Sequence, residues 1–294
     1  MSSARERAAL VALLRVGRRP WREYVEAVER AGSAVPVLQD ELTITEGQVS
    51  LLPGDPEPLL ARAAAEIDSW TREGFALLTV LDDGYPPNLR TVFDRPPLVF
   101  VTGQLTPREA RSVAVVGARR ASDAGTAVAA AIAEGLTREG YVVVSGLAAG
   151  IDTAAHRAAL EGGGRTVAVI GTGLRHAYPP ENAALQQRIG EVGAVVSQFW
   201  PEAGPARESF PMRNAVMSGF ALGTVVVEAW QRSGARLQTR LALAHGRPVF
   251  LLAPLLAQAW ARDLAQRPGV HVVRESAEIT ATIERLNATD ALAE

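Results

Sequence analysis

Residues 113–152 read VAVVGARRASDAGTAVAAAIAEGLTREGYVVVSGLAAGID. The apolar run 113–116 stops at Gly117, and a second run, 142–144, stops at Ser145-Gly146. Between them, 125–138 is rich in Ala and Leu, good helix formers. Strand, glycine turn, helix, strand, glycine turn is a βαβ unit of a parallel sheet covered on both faces. Its loops leave the carboxyl ends of the strands, where open α/β sheets bind ligands. Both loops are rich in Gly, Ser and Ala, so backbone N–H groups can approach an anion closely. The first also carries Arg119 and Arg120. The stretch therefore predicts a phosphate-compatible edge formed by Gly117, Ala118, Arg119, Arg120 and Ser122 with Ser145, Gly146, Ala149 and Gly150.

The same alternation continues outward. Strands are expected at 98–102, 166–170, 194–197, 224–227, 248–252 and 270–273, and helices at 152–160, 182–190, 237–244 and 276–286. Apolar β-runs alternating with helices imply a doubly wound, mostly parallel sheet, an α/β fold of extended Rossmann-like type. Upstream, the apolar spacing of 5–31 predicts two short helices punctuated by Gly17 and Pro20. Residues 32–54 are mixed and turn-rich. Asp55 is the expected N-cap of a helix over 56–70, with Pro56 at its first position. A boundary near Gly74 separates a helical module, 1–73, of SAM or helix-hairpin-helix type, from the sheet domain, 74–294.

At 294 residues the chain has room for one large α/β domain and a small one. It contains no cysteine, which excludes disulfides and thiolate metal sites and fits a cytoplasmic protein. No apolar run is long enough to span a membrane, and the N-terminus has no signal-peptide pattern. The formal net charge is −2, so there is no global basic footprint. Every basic Lys/Arg position is Arg, so a phosphate here meets the planar guanidinium fork or backbone N–H groups.

The first loop is neither G-x-G-x-x-G nor a P-loop, and Ser145 stands where a dinucleotide site would place an acid. A nicotinamide cofactor is therefore not expected, nor any other. No His/Glu cluster has metal-ligand spacing, and no nucleophile elbow occurs. Asp152 reads as the N-cap of its helix or as an active-site carboxylate. His156, one turn on, shares its face. The segment 205–247 is locally basic, with Arg207, Arg213, Arg232, Arg236, Arg240 and Arg247 against Glu208 and Glu228. Arg213 and Arg232 are expected on loops at strand ends.

Several long motifs, in order, resemble those of the bacterial DNA processing protein A family (DprA, also called Smf). Residues 116–125 match V-G-x-R-x-x-S-x-Y-G except at Ala124. Residues 145–160 meet S-G-x-A-x-G-I-D-x-x-A-H-x-x-A-L in full. Residues 171–182 look like G-x-G-L-D-x-x-Y-P-x-x-N with Arg175 for the acid, and 210–215 like F-P-x-R-N-R with Ala215 last. Val227-Glu228-Ala229 and Arg232-Ser233-Gly234 complete the set. The resemblance implies a non-enzymatic function with no catalytic residues. Members bind single-stranded DNA and load RecA recombinase onto it, displacing single-strand-binding protein, during natural transformation. It implies a homodimer, and it adds Gly171, Gly173, Asn182, Arg207, Phe210, Arg213, Asn214 and Arg232 to the DNA-binding set. Phe210 would stack on a base while Arg207 and Arg213 grip adjacent phosphates.

The chain departs from the family pattern late. The turn after Gly234 reads Ala235-Arg-Leu-Gln238 rather than Ser/Thr-rich, and 254–267 lacks the usual Asn-rich segment. The winged-helix domain of many members is not expected. Two other readings stay open: a divergent member with weakened DNA binding, and a nucleotide phosphoribohydrolase-like enzyme. In the second, Glu228 would stabilise an oxocarbenium ion and Arg213 would hold phosphate.

Overall fold

Every apolar run named above is a strand in the computed structural model, which describes residues 3–44, 55–230 and 233–290. The chain opens with four helices, α1 (Ala4–Val16), α2 (Trp21–Ala31), α3 (Ala34–Ile44) and α4 (Glu57–Arg72). It continues through β1 (Ala76–Thr79), α5 (Pro87–Arg90), β2 (Leu98–Gly103), β3 (Ser112–Val116), α6 (Asp123–Arg138), β4 (Val142–Ser145), α7 (Ile151–Glu161) and β5 (Thr166–Val169). Then follow α8 (Ala183–Val192), β6 (Ala194–Ser197), α9 (Ser209–Phe220), β7 (Thr224–Val226), α10 (Gly234–Ala244) and β8 (Val249–Leu252). The last elements are α11 (Ala259–Ala265), β9 (Val270–Val273) and α12 (Ser276–Asp290).

Among the described residues nine strands form one sheet, ordered β1-β2-β6-β5-β4-β3-β7-β8-β9. β1 and β2 pair antiparallel, as do β2 and β6, and the remaining pairs are parallel. The fold is therefore α/β with a mostly parallel, Rossmann-like sheet. From β3 the chain winds outward through β4, β5 and β6, then crosses to the other side of β3 for β7, β8 and β9. The order reverses between β3 and β7, in register at Ala114–Thr224 and Val116–Val226. Crevices at such reversals are where doubly wound sheets take ligands.

Side chains alternate between the two faces with the strand period of two. Val99, Val101, Ala114, Val116, Val144 and Val226 point to one face, packed against Val216, Met217 and Phe220 of α9. Val113, Val115, Val143 and Val225 point to the other, against Ile132 of α6, Ala155 of α7 and Ile283 of α12. Toward the β1–β2 end, that second face meets Leu10, Leu13, Leu38 and Trp70 of the N-terminal helices through Leu98 and Phe100. Complete burial of each such aliphatic side chain contributes about 1.5–3 kcal/mol.

Helix α3 occupies part of the stretch expected to be turn-rich, and residues 45–54 of that stretch lie outside the described residues. Its start is held by α1: Glu6 accepts from the Ala34 amide at 2.6 Å and from the Ser33 hydroxyl at 2.7 Å. Pro36 falls in the first turn, where its missing N–H costs nothing. The Asp55 carboxylate accepts from the Glu57 amide at 3.0 Å, and α4 begins after Pro56, which itself occupies the cap position. No helix among the described residues is long and apolar enough to cross a membrane.

Candidate nucleic-acid interface

The loops after β3 and β4 press together backbone to backbone. Gly150 has φ +82°, and a Cβ there would meet the Ala118 carbonyl oxygen at 2.3 Å. Gly117 is equally tight, since a Cβ would lie 2.5 Å from Ile151 and 2.8 Å from the Glu228 carbonyl oxygen. The two loops meet the start of α9 and of α10 around a cleft of about 520 Å³ at the β3–β7 switch point. Gly117, Ala118, Arg119 and Arg120 form one wall, and Phe210, Arg213 and Asn214 of α9 form another. Trp230 and Gln238 lie at the side of α10.

Arg213 dominates the site. It was expected on a loop and lies instead in the second turn of α9, because Pro211 is tolerated in the first turn and the helix starts at Ser209. Its side chain is 5% exposed, and Nη1 lies 3.9 Å from Asp152 Oδ2. Neither Nε nor Nη1 has a hydrogen-bond partner. The guanidinium reaches its seat only because residue 146 is Gly, where a Cβ would fall 1.1 Å from Nη1. Burial pushes the Arg213 pKa down, with Asp152 opposing and Arg119 adding to the effect. Burial pushes Asp152 up, offset by Arg213 and by the Ala148 and Gly146 amides. A guanidinium does not give up its proton in a protein, so the site holds a buried, under-bonded cation. That arrangement is costly until an anion supplies the missing acceptors.

Arg119 is exposed and arches over Phe210, with Cζ 5.1 Å from the ring centroid. Tyr178 adjoins Phe210 at 5.4 Å between centroids. These residues, with Gly146, Ala149 and Gly171, surround a smaller annex of about 160 Å³. Gly171 leaves room for Phe210, whose Cδ1 would be 2.9 Å from a Cβ there.

Other residues singled out in the sequence hold the loops together. Asp152 is not the cap of α7, since Gly150 occupies that position. Asp152 lines the cleft, and its carboxylate folds back to accept the amides of Gly146 at 3.2 Å and Ala148 at 3.3 Å, so these N–H groups are already engaged. Ser145 donates to the Val115 carbonyl at 2.6 Å and is buried. Ser122 caps α6 by accepting from Gly125 at 3.0 Å, and it donates to Glu228 Oε2 at 2.6 Å. Glu228 is thereby a clasp on the first loop. Asn182 is buried under the second loop, donating to the Leu147 carbonyl at 2.9 Å and Thr153 Oγ1 at 2.8 Å. That brace holds Leu147 at φ 57°. Gly173 faces the 200–203 turn and donates to the Ala203 carbonyl at 2.7 Å. Arg207 is exposed before α9 and does not line the cleft. Arg232 lies outside the described residues. His156 does not pair with Asp152; its Nδ1 meets Thr166 Oγ1 at 2.7 Å in the core. Among the described residues no group of His, Asp and Glu is placed to hold a metal ion.

Sequence reasoning missed Trp230 and Gln238 as cleft residues. The departure of 235–238 from the family turn was the signal that pointed to the second.

Fold and site together define a Rossmann-like α/β protein with an arginine-lined cleft at the switch point of its sheet. The family model for DNA recombination-mediator protein A matches residues 76–289. The chain belongs to this family. It is 44% identical over 178 residues to DNA processing protein DprA of Streptococcus pneumoniae, an overlap of 60% of this chain and 63% of that one. The X-ray structure of DNA processing protein A from Streptococcus pneumoniae is similar at a TM-score of 0.73 and 31% identity, over 95% of this chain and 98% of that one. A DNA processing protein A from Helicobacter pylori, whose structure addresses its single-stranded DNA binding mode, shares the fold at a TM-score of 0.63 and 23% identity, over 72% and 96% of the two chains.

Proposed function

We propose that the chain binds single-stranded DNA through its phosphates in the Arg119–Arg213 cleft and acts as a recombination mediator. In that role it places RecA recombinase on the strand and displaces single-strand-binding protein. The observation that carries this reading is Arg213: a buried guanidinium with two nitrogens that make no hydrogen bond, lining an open cleft beside an exposed arginine and an aromatic ring. Phosphate oxygens supply acceptors for the guanidinium forks. Phe210 offers a face to a base, in the way non-specific single-strand binders combine cationic grooves with stacking platforms. Family membership and the single-stranded DNA binding of the Helicobacter pylori protein support the choice of polymer.

The test has two parts. Retardation of a single-stranded oligonucleotide at stated salt reads the binding. RecA-dependent ATP hydrolysis on DNA precoated with single-strand-binding protein reads the mediation. Binding without stimulation of RecA would leave a DNA-binding protein and remove the mediator role.

A further inference from the structure

Gln238 is 1% exposed on α10 and lines the cleft, and neither its carboxamide oxygen nor its nitrogen has a hydrogen-bond partner. A buried amide left unpaired is destabilising. Gln238 shares the cleft with Arg213, yet the two side chains ask for different ligands. The guanidinium carries donors only, whereas the carboxamide presents a donor and an acceptor side by side. A phosphate has only acceptors to offer and would leave the amide oxygen unpaired. The edges of nucleobases carry adjacent donors and acceptors that match an amide.

Trp230 stands at the rim of the same cleft and is 60% exposed, the most exposed of the large hydrophobic side chains described. An indole left this open at the mouth of a cationic cleft is a stacking surface for a flat ring. Its carbonyl accepts from the Ser233 amide at 3.0 Å, which ties the rim to the residue that caps α10. Gln238 ends the segment 235–238, where the sequence departs from the family's Ser/Thr-rich turn and which here forms the start of α10.

We infer that Trp230 and Gln238 form a nucleobase subsite on the α10 side of the cleft. The indole stacks on a base, and the carboxamide pairs with the edge of a base whose flanking phosphates lie against Arg213 and Arg119. The subsite rests on the single-stranded DNA reading of the cleft and adds base contacts to it. Rotation of the carboxamide exchanges its donor and acceptor, so the subsite distinguishes a base from its absence rather than one base from another.

The experiment compares fluorescence anisotropy of two labelled oligomers at one salt concentration. One is a deoxythymidine oligomer of about 16 nucleotides, within the usual single-strand site sizes. The other is an abasic backbone of the same length. The wild-type chain is expected to bind the base-bearing oligomer about tenfold or more tightly than the abasic one, the scale of one stacked base. Gln238→Met keeps the side chain's length and removes its polarity, and Trp230→Ala removes the platform. Each variant should lower affinity for the base-bearing oligomer and leave the abasic one unchanged. An unchanged ratio in both variants, or equal loss on both oligomers, overturns the subsite. Arg119→Ala separates the two layers of the reading. If it weakens both oligomers while Gln238→Met and Trp230→Ala are silent, the subsite alone fails. If it weakens neither, the DNA reading of the cleft fails and the subsite with it.

Discussion

Gly146→Ala is a one-carbon perturbation aimed at the cation that defines the cleft. The added Cβ would lie 1.1 Å from Arg213 Nη1, where ordinary van der Waals contact needs about 3.5 Å. Helix α9 and the β4 backbone are fixed by the core, so the guanidinium, at the end of a flexible side chain, is the part that moves. It must shift by roughly 2.4 Å, the difference between those two separations. A shift of that size breaks any hydrogen bond to a phosphate in the wild-type position. A hydrogen bond to a charged group contributes about 1.5–3 kcal/mol, so the dissociation constant for single-stranded DNA should rise by about tenfold or more. One lost phosphate contact also reduces the slope of log affinity against log salt by about 0.7. Anisotropy titrations across a salt series read both quantities, and circular dichroism confirms that the variant is folded. Gly204→Ala is the control, since a Cβ there meets nothing within 4 Å. Wild-type affinity and slope in a folded Gly146→Ala variant would refute the role given to Arg213.

Asn182→Ala should destabilise the fold by about 1–3 kcal/mol in urea unfolding, because it leaves the Leu147 carbonyl without its buried donor. A variant of normal stability that has lost DNA affinity would instead make Asn182 a ligand. His156 supplies a pH signature. Burial, with a smaller contribution from Arg213, pushes its pKa from 6.5 down to about 3. Between those values the unfolded imidazole is protonated and the folded one is not. Stability is therefore full above the unfolded pKa and falls as pH drops through the window, by up to about 1.4 kcal/mol per unit. Urea midpoints measured across that range should fall on acidification, and His156→Leu should flatten the dependence. An equally steep fall in that variant would assign it to other groups.

Much of the fold was legible because its strands are buried on both faces. The valine-rich runs at 113–116, 142–144 and 224–227 have no polar face to confuse them, and each ends at the glycine or polar residue that turns the chain. Helix α3 was not legible, since its start depends on the Glu6 carboxylate of a different helix and its apolar residues on packing against α1. The cleft was legible on its first wall, where Arg119 and Arg120 sit in the glycine loop itself. Arg213 was visible as a charge but not as a buried one. Its burial requires Gly146, 67 positions away in sequence, to vacate the space it fills. Ser122, Asp152 and Glu228 look like ligand contacts in sequence because they are polar residues at strand ends. In the fold they are already engaged, Ser122 with Glu228 at an exposed clasp and Asp152 with the loop amides at the wall of the cleft.

The switch-point cleft is proposed to grip a single strand by its phosphates. The most direct test is the salt dependence of single-stranded oligonucleotide binding by the wild-type chain and by Arg119→Ala, a side chain exposed enough to remove without disturbing the core. The wild-type chain should retard the oligonucleotide at low salt, with affinity falling steeply as salt rises. Arg119→Ala should bind more weakly, with a slope smaller by about 0.7. An oligonucleotide that is not retarded at low salt, or an Arg119→Ala titration that overlays the wild type at every salt concentration, would contradict it.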